Sequence, residues 1–227
     1  MSSVSKRYSD IHSRIEAALH RAGRPPGSVG VIGVTKYVTK ERAKEAVEAG
    51  ITHLGENRPD GLLEKEEALA SSVVWHYIGQ LQSRKVKEVA GVMDMLHALD
   101  RHSLAKELEK RLPDGDTLDC FVQVNVSGEA SKSGLAPEEV EDFIRSLGSY
   151  EKLRIRGLMT MAPAVQNPED ARPFFRELRK IRDDVKSLNL SHAPCTELSM
   201  GMSNDFEVAV EEGAAWVRLG SSLVGPT

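Results

Sequence analysis

The sequence predicts an α/β chain of the (β/α)8 barrel class, with one extra helix ahead of the first strand. Three observations carry that prediction. Apolar runs of strand length recur about eight times, and each but the last is followed by a stretch of helical periodicity. No Pro/Ser-rich linker or internal repeat divides the 227 residues, so residues 1–227 read as one domain. Reactive polar residues gather at the C-terminal ends of the runs, the edge where parallel barrels bind ligands. An open doubly wound sheet is the alternative, because strand order is not written in one sequence.

A leading helix is predicted over residues 5–22, with Ile11, Ile15 and Leu19 on one face. The break Pro25-Pro26-Gly-Ser28 joins it to the first strand. Strands are expected at Gly30–Thr35, Thr52–Gly55, Val73–Ile78, Met93–Ala98, Leu118–Val126, Leu153–Met159, Thr196–Ser199 and Ala215–Leu219. Between the first two, Thr39 suits the N-cap of a helix running through Val47, and Gly50 stands just past its end. After the fifth, Ser127-Gly-Glu-Ala-Ser-Lys-Ser-Gly134 is the longest polar loop and the segment expected to move. Pro137 suits a first helical position, with Glu138 and Glu139 in the electropositive first turn. Val140, Phe143, Ile144 and Leu147 then form a stripe that Gly148 ends. Asn167-Pro168 opens a longer helix whose apolar stripe reads Phe174, Leu178, Ile181, Val185 and Leu188.

Composition narrows the function classes. Hydrophobic residues make up 40% and charged residues 28% of the chain, an ordinary globular mix with enough length for a core. The formal net charge is -4, and the cluster Arg176, Arg179, Lys180, Arg182 is interrupted by Glu177, Asp183 and Asp184, which argues against nucleic acid as a partner. Cys120 and Cys195 are the only cysteines and form no CxxC pair, the usage of a reducing compartment. No apolar run is long enough to cross a bilayer, and the N-terminus lacks the core of a secretory signal. A cytoplasmic protein without a membrane partner is expected. His12, His20, His53, His76, His97, His102 and His192 are scattered without metal-ligand spacing, so no metal is expected, and no GxSxG elbow supports a hydrolase.

Lys36 is the most informative residue. It closes the run Val31-Ile-Gly-Val-Thr35, where partial desolvation would favour a neutral amine able to form a Schiff base. Other strand ends supply Glu56-Asn57, Gly79-Gln80, Asn125, Thr160, Ser199-Met-Gly-Met-Ser203 and Arg218-Leu-Gly-Ser-Ser222. Ser199, Gly201 and Ser203, ahead of a helix expected near Asn204, together with Gly220 and Ser221, read as a phosphate cradle. Phosphate sites recur after strands seven and eight of such barrels. Arg218 suits either a phosphate or ring nitrogen, or an ion pair with Glu56 or Glu197. An amine beside a phosphate cradle fits pyridoxal 5′-phosphate (PLP), and equally a Schiff-base aldolase acting on sugar phosphates.

At this point the chain resembles the pyridoxal phosphate homeostasis proteins, also described as YggS-like or proline synthase co-transcribed proteins. The marks are Val34-Thr-Lys36, Leu54-Gly-Glu-Asn-Arg58, Trp75-His-Tyr-Ile-Gly-Gln-Leu-Gln82 and Gln123-Val-Asn-Val-Ser-Gly-Glu-Ala-Ser-Lys-Ser-Gly134. Gly157-Leu-Met-Thr-Met161, Leu198-Ser-Met-Gly-Met-Ser-Asn-Asp205 and Val217-Arg-Leu-Gly220 complete the set. The resemblance implies a barrel like the N-terminal domain of alanine racemase. It implies an internal aldimine between PLP and Lys36, with Asn57 near the ring. It sets the phosphate against Ser199, Gly201, Gly220 and Ser221, with Arg218 close to ring or phosphate. It also implies a role in balancing PLP (vitamin B6) and amino-acid pools rather than turnover. Two departures from the family pattern stand at Arg84-Lys85 and at Arg58-Pro-Asp-Gly61, where Pro59 threatens the loop that carries Asn57.

Catalysis is expected to be absent, so no catalytic residue is assigned. Racemisation needs a second acid/base group opposite the lysine, supplied in alanine racemases by a further β-domain that is not expected here. An arginine facing the pyridine nitrogen also makes the cofactor a poorer electron sink. The alternative is a weak PLP-dependent racemase whose missing base is Tyr37, His76 or Lys132. A monomer is expected, with apo PLP-dependent enzymes as recipients of the cofactor. Lys132 is either a second transient PLP site or a solvated loop lysine.

Overall fold

The computed structural model describes residues 4–69 and 73–225. Eight strands, β1 (Gly30–Val34), β2 (His53–Glu56), β3 (Val74–Tyr77), β4 (Met95–Leu99), β5 (Leu118–Gln123), β6 (Leu153–Met159), β7 (Glu197–Ser199) and β8 (Trp216–Leu219), close into one parallel barrel in sequence order. The open-sheet alternative is therefore out. β1 closes the ring by pairing Gly30 with Trp216 and Gly33 with Leu219. Each predicted strand is present: β6 has the expected bounds, β5 ends three residues early at Gln123, and the others are trimmed or shifted by one or two residues.

The helices follow local chemistry. α1 (Val4–Arg21) buries Val4, Ile11, Ile15, Ala18 and Leu19. α2 (Lys40–Glu48) is capped by Thr39, whose hydroxyl accepts from the Arg42 N–H at 3.3 Å, and Gly50 follows at φ 93°. α3 (Pro59–Leu69) starts on Pro59, a position where the missing N–H has no intrahelical partner to lose. Short α4 (Val86–Val89) and α5 (His102–Arg111) follow β3 and β4. A 3₁₀ turn at Pro137–Glu139 leads into α6 (Val140–Ser146), and another at Pro168–Ala171 into α7 (Arg172–Ser187). The buried stripe of α7 begins at Phe175 rather than Phe174 and continues through Leu178, Ile181 and Val185. α8 (Phe206–Glu211) is the last helix.

Apolar packing falls into two separate bodies. The larger lies between barrel wall and helices and takes in Leu19, Leu54, Leu104, Ile144, Phe175 and Val210. The smaller lies in the lumen: Ala98, Phe121 and Met159, with Met95 and Trp216 against them. At 25 cal/mol per Å² or so, it is the outer body that supplies most of the folding drive. The β6–β7 wall allows no side chain at Gly157, whose Cβ would stand 1.8 Å from the Glu197 carbonyl oxygen.

The basic cluster of α7 keeps an exposed face, with the Arg176 side chain 62% and that of Arg179 40% exposed, while its arginines also tie the helix to its neighbours. Arg172 and Arg176 donate to Glu212 at 2.9 and 3.0 Å, and Arg182 donates to the Thr196 carbonyl at 2.7 Å. Among the described residues, no helix is long and apolar enough to cross a membrane.

Candidate functional site

The C-terminal strand ends surround a cavity of about 560 Å³, within the usual size range of small-molecule sites. Its wall includes Lys36 after β1, Asn57 after β2, Gly79 after β3, Met161 after β6 and Met202–Asn204 after β7, with Arg218, Gly220 and Ser221 from β8 and its turn. Lys36, Asn57, Ser203, Arg218, Gly220 and Ser221 of the predicted site residues thus meet there.

Ser199 and Gly201 are not in that wall. Ser199 is fully buried one layer below, its Oγ accepting from Arg218 Nη1 at 2.6 Å. Gly201 sits at φ 92°, and a Cβ there would fall 2.5 Å from the Ala209 Cβ, so its glycine lets the turn pack on α8. Ser203, the third residue expected in the cradle from this segment, does line the cavity, and its Oγ accepts from the Ser222 hydroxyl at 2.9 Å. The helix expected near Asn204 begins at Phe206. The Asp205 and Phe206 N–H groups already bond to the Met202 carbonyl, and the Asp205 carboxylate takes the Met202 N–H at 2.6 Å.

Lys36 is exposed rather than desolvated, with Nζ 4.8 Å from the centroid of the Tyr37 ring. Its approach is fixed from behind. Thr35 is buried and donates to Glu56 Oε1 at 2.6 Å; the same oxygen takes Lys65 Nζ at 2.8 Å. Neither carboxylate considered for Arg218 pairs with it. Glu56 is held by Lys65, and Glu197 by Arg156 and by the Trp216 Nε1–H at 2.7 Å. Arg218 instead donates to Ser199 and, from Nη2, to the Thr160 carbonyl at 2.7 Å. Burial pulls its guanidinium down to about 10 while the Asp205 charge resists, so it stays a cation at neutral pH. Burial in turn raises the Asp205 carboxyl, opposed by the Met202 N–H and by Arg218.

The threat from Pro59 does not materialise. Asn57 keeps its place in the wall, and the Tyr77 hydroxyl donates to its carbonyl at 3.3 Å. The second departure, Arg84, lies in a 3₁₀ turn and donates to Gln82 at 3.0 Å. The polar loop after β5 is tied down: Gln123 bonds to Gln80 and to the Ser133 carbonyl, and Asn125 Nδ2 donates to the Glu129 carbonyl at 2.9 Å. Lys132 Nζ lies 3.0 Å from the Glu129 carboxylate and is not solvated. Of the bases considered for a racemase, only Tyr37 lines the cavity; His76 is fully buried in the lumen and Lys132 faces its own loop.

The scattered histidines conceal a feature that no motif announces. His53, His76 and His97 stack on adjacent strands as one hydrogen-bonded column: His53 Nδ1 to His76 Nε2 at 2.9 Å, His76 Nδ1 to His97 Nε2 at 2.8 Å, His97 Nδ1 to Ser199 Oγ at 2.8 Å. The signal available was each histidine's place inside a strand run; the missing piece was the register that aligns them. Burial lowers His76 to about 3 and His97 well below its ordinary value, so both rings are neutral at pH 7. Among the described residues, no group of three ligand-type side chains forms a metal site.

Residues 14–227 match the family model described as alanine racemase, N-terminal domain. The chain is 41% identical to the pyridoxal phosphate homeostasis protein of Aquifex aeolicus, over 97% of this chain and 96% of that one. It superposes on PipY of Synechococcus elongatus, solved with PLP bound, at a TM-score of 0.81 and 31% identity, covering 93% of this chain and all of that one. Alanine racemase of Corynebacterium glutamicum shares the fold at 13% identity and a TM-score of 0.69, covering 94% of this chain and 59% of that one. With a barrel closed in sequence order, a lysine at its mouth and relatives matched from end to end, the chain belongs to the pyridoxal phosphate homeostasis protein family.

Proposed function

We propose that this chain binds PLP in the barrel mouth as a Schiff base on Lys36 and serves the intracellular balance of PLP (vitamin B6) and amino acids. The observation that carries this reading is the shared wall: one exposed amine, one buried cation and a serine–glycine rim around a single cavity. That donor set fits the cofactor. Lys36 would supply the amine for the aldehyde, while Ser203, Gly220 and Ser221 would suit the phosphate and Asn57 the ring side. Arg218 faces the same space, and Ser199 and Gly201 support it from beneath. Bound PLP supplies an electron sink for amino-acid chemistry. A guanidinium held by Ser199 and Thr160 keeps its protons, so Arg218 is a poor source of one for a ring nitrogen.

In this reading residues 1–227 form one cytoplasmic, monomeric domain without a turnover of its own, and apo PLP-dependent enzymes receive the cofactor. A weak racemase is the second reading, favoured by the phenol of Tyr37 beside Lys36. The test is the absorbance spectrum before and after borohydride, with the reduced peptide mapped by mass spectrometry. A visible imine band that reduces onto Lys36 supports attachment, and Lys36→Ala abolishes it. A colourless protein that PLP cannot restore overturns the reading and favours the aldolase. Exchange of an amino acid's α-proton in deuterated water, lost in Tyr37→Phe, would instead establish the racemase.

A further inference from the structure

We propose that Arg42 and Arg7 are positioning residues for the phosphate end of the mouth: from outside the barrel they hold the turn over residues 220–225, and through it the Ser221 N–H. This role rests on the PLP reading and adds to it two side chains that are not among those lining the cavity.

The turn folds back on a single acceptor. The N–H groups of Leu223, Val224 and Gly225 all donate to the Gly220 carbonyl, at 3.1, 2.9 and 3.0 Å. A Cβ on Gly225 would collide with the Ser221 carbonyl, so the two backbones lie in direct contact. The Ser222 hydroxyl and N–H both donate to Ser203 Oγ, at 2.9 and 3.3 Å, which joins the turn to the other half of the phosphate rim. Leu223 and Val224 are buried, and Ser221, Val224 and Gly225 line the cavity.

Two helices take the carbonyls at the far end of the turn. Arg42 of α2 spans both, with Nε donating to the Val224 oxygen at 3.4 Å and Nη2 to the Gly225 oxygen at 3.5 Å. Arg7 of α1 donates to the same Gly225 oxygen at 3.1 Å. The Arg42 contacts are long, yet the fork is aimed: Nη1 pairs with Glu45 one turn along α2, and the side chain is only 17% exposed.

Peptide units carry these contacts to the ligand side. The Val224 carbonyl shares a peptide with the Gly225 N–H, and the Gly220 carbonyl shares one with the Ser221 N–H. A guanidinium on the first oxygen therefore strengthens the Gly225 donor. The donors gathered on the Gly220 oxygen strengthen the Ser221 N–H in turn. That N–H has no hydrogen-bond partner among the described residues, and Ser221 is exposed in the cavity wall. A polarised donor left unspent beside Gly220 suits a phosphate oxygen. Arg42 and Arg7 should accordingly matter to a ligand's phosphate and not to its ring or aldehyde.

The test compares the dissociation constants of PLP and of pyridoxal, which has the same ring and aldehyde without the phosphate. Both are measured on the full chain and on Arg42→Met and Arg7→Met. Each variant should bind PLP about fivefold more weakly, the effect of one lost hydrogen bond, and bind pyridoxal as the parent does. Equal losses for the two ligands would show that the arginines only brace the fold, and an unchanged PLP constant that they hold nothing the phosphate uses; either overturns the proposal. A second measurement needs no ligand. The Leu223, Val224 and Gly225 amides should exchange hydrogen faster in each variant by a similar factor, while those of β1 keep the parent's rate. Unchanged protection of the turn also overturns the proposal, and if Arg42→Met fails to fold, Arg7→Met decides both arms. Failure of the parent to bind PLP sinks the functional reading, whereas the exchange arm still decides whether the two arginines hold the turn.

Discussion

Replacing Lys65 with methionine separates what the buried ion pair contributes from what its disruption costs. Lys65 sits inside α3 with its side chain 5% exposed, and its Nζ lies 2.8 Å from Glu56 Oε1, whose side chain is 1% exposed. At an effective dielectric of about 20, two unit charges at that distance attract by roughly 6 kcal/mol. Removing two ions from water costs several kcal/mol each, so the intact pair is near break-even. Lys65→Met keeps the apolar stem but strands the Glu56 carboxylate with only the Thr35 hydroxyl. The expected loss is about 3–5 kcal/mol, measured as a fall in the urea midpoint at unchanged slope. Adding Glu56→Gln removes the stranded charge and keeps the acceptor for Thr35. The double variant should recover at least about 2 kcal/mol of that loss. A single variant within about 1 kcal/mol of the parent, or a double variant no better than the single, would refute this account.

Three further outcomes follow from burial. Gly157→Ala forces a Cβ against the Glu197 backbone and should cost about 3 kcal/mol, the upper end for overpacking, read as a lower Tm. His76 titrates near 3 in the folded chain against about 6.5 unfolded, so below pH 6.5 the unfolded state binds the extra proton. Stability should therefore be full above pH 6.5 and fall on acidification by up to about 1.4 kcal/mol per pH unit from this ring alone; a urea midpoint flat from pH 7 to 5 would contradict it. Cys120 and Cys195 are buried, and desolvation pushes both thiols up, Cys195 to about 12. Neither should react with a thiol reagent at pH 8 until the chain is unfolded.

The barrel was legible because its signals are local. Each strand announced itself as an apolar run, and caps such as Thr39 and Asn167 mark helix starts by their own side chains. Lys36, Asn57, Arg218, Gly220 and Ser221 were placed by one rule, that strand ends share a mouth. What stayed hidden depends on register and depth. Ser199 and Ser203 belong to one short segment, yet one lies in the lumen and the other in the cavity wall. The desolvation assumed for Lys36 fell instead on Lys65, whose partner Glu56 is nine residues away and on a different element. His53, His76 and His97 lie 23 and 21 residues apart, spacings that mean nothing until three strands are aligned. Phe174 and Phe175 are neighbours on α7, and only the rotation of the packed helix about its own axis decides that Phe175 is the buried one.

The separation of the two apolar bodies has an evolutionary reading. Folding rests on the shell that joins barrel wall to helices, whereas the lumen holds a few apolar residues and a string of polar contacts. Chemistry in the lumen can thus drift by substitution while the shell keeps the chain folded. A lineage that alters Ser199, His97 or Phe121 changes what lies beneath the mouth without first rebuilding its architecture. Barrels of this shape can accordingly diverge to 13% identity and still superpose.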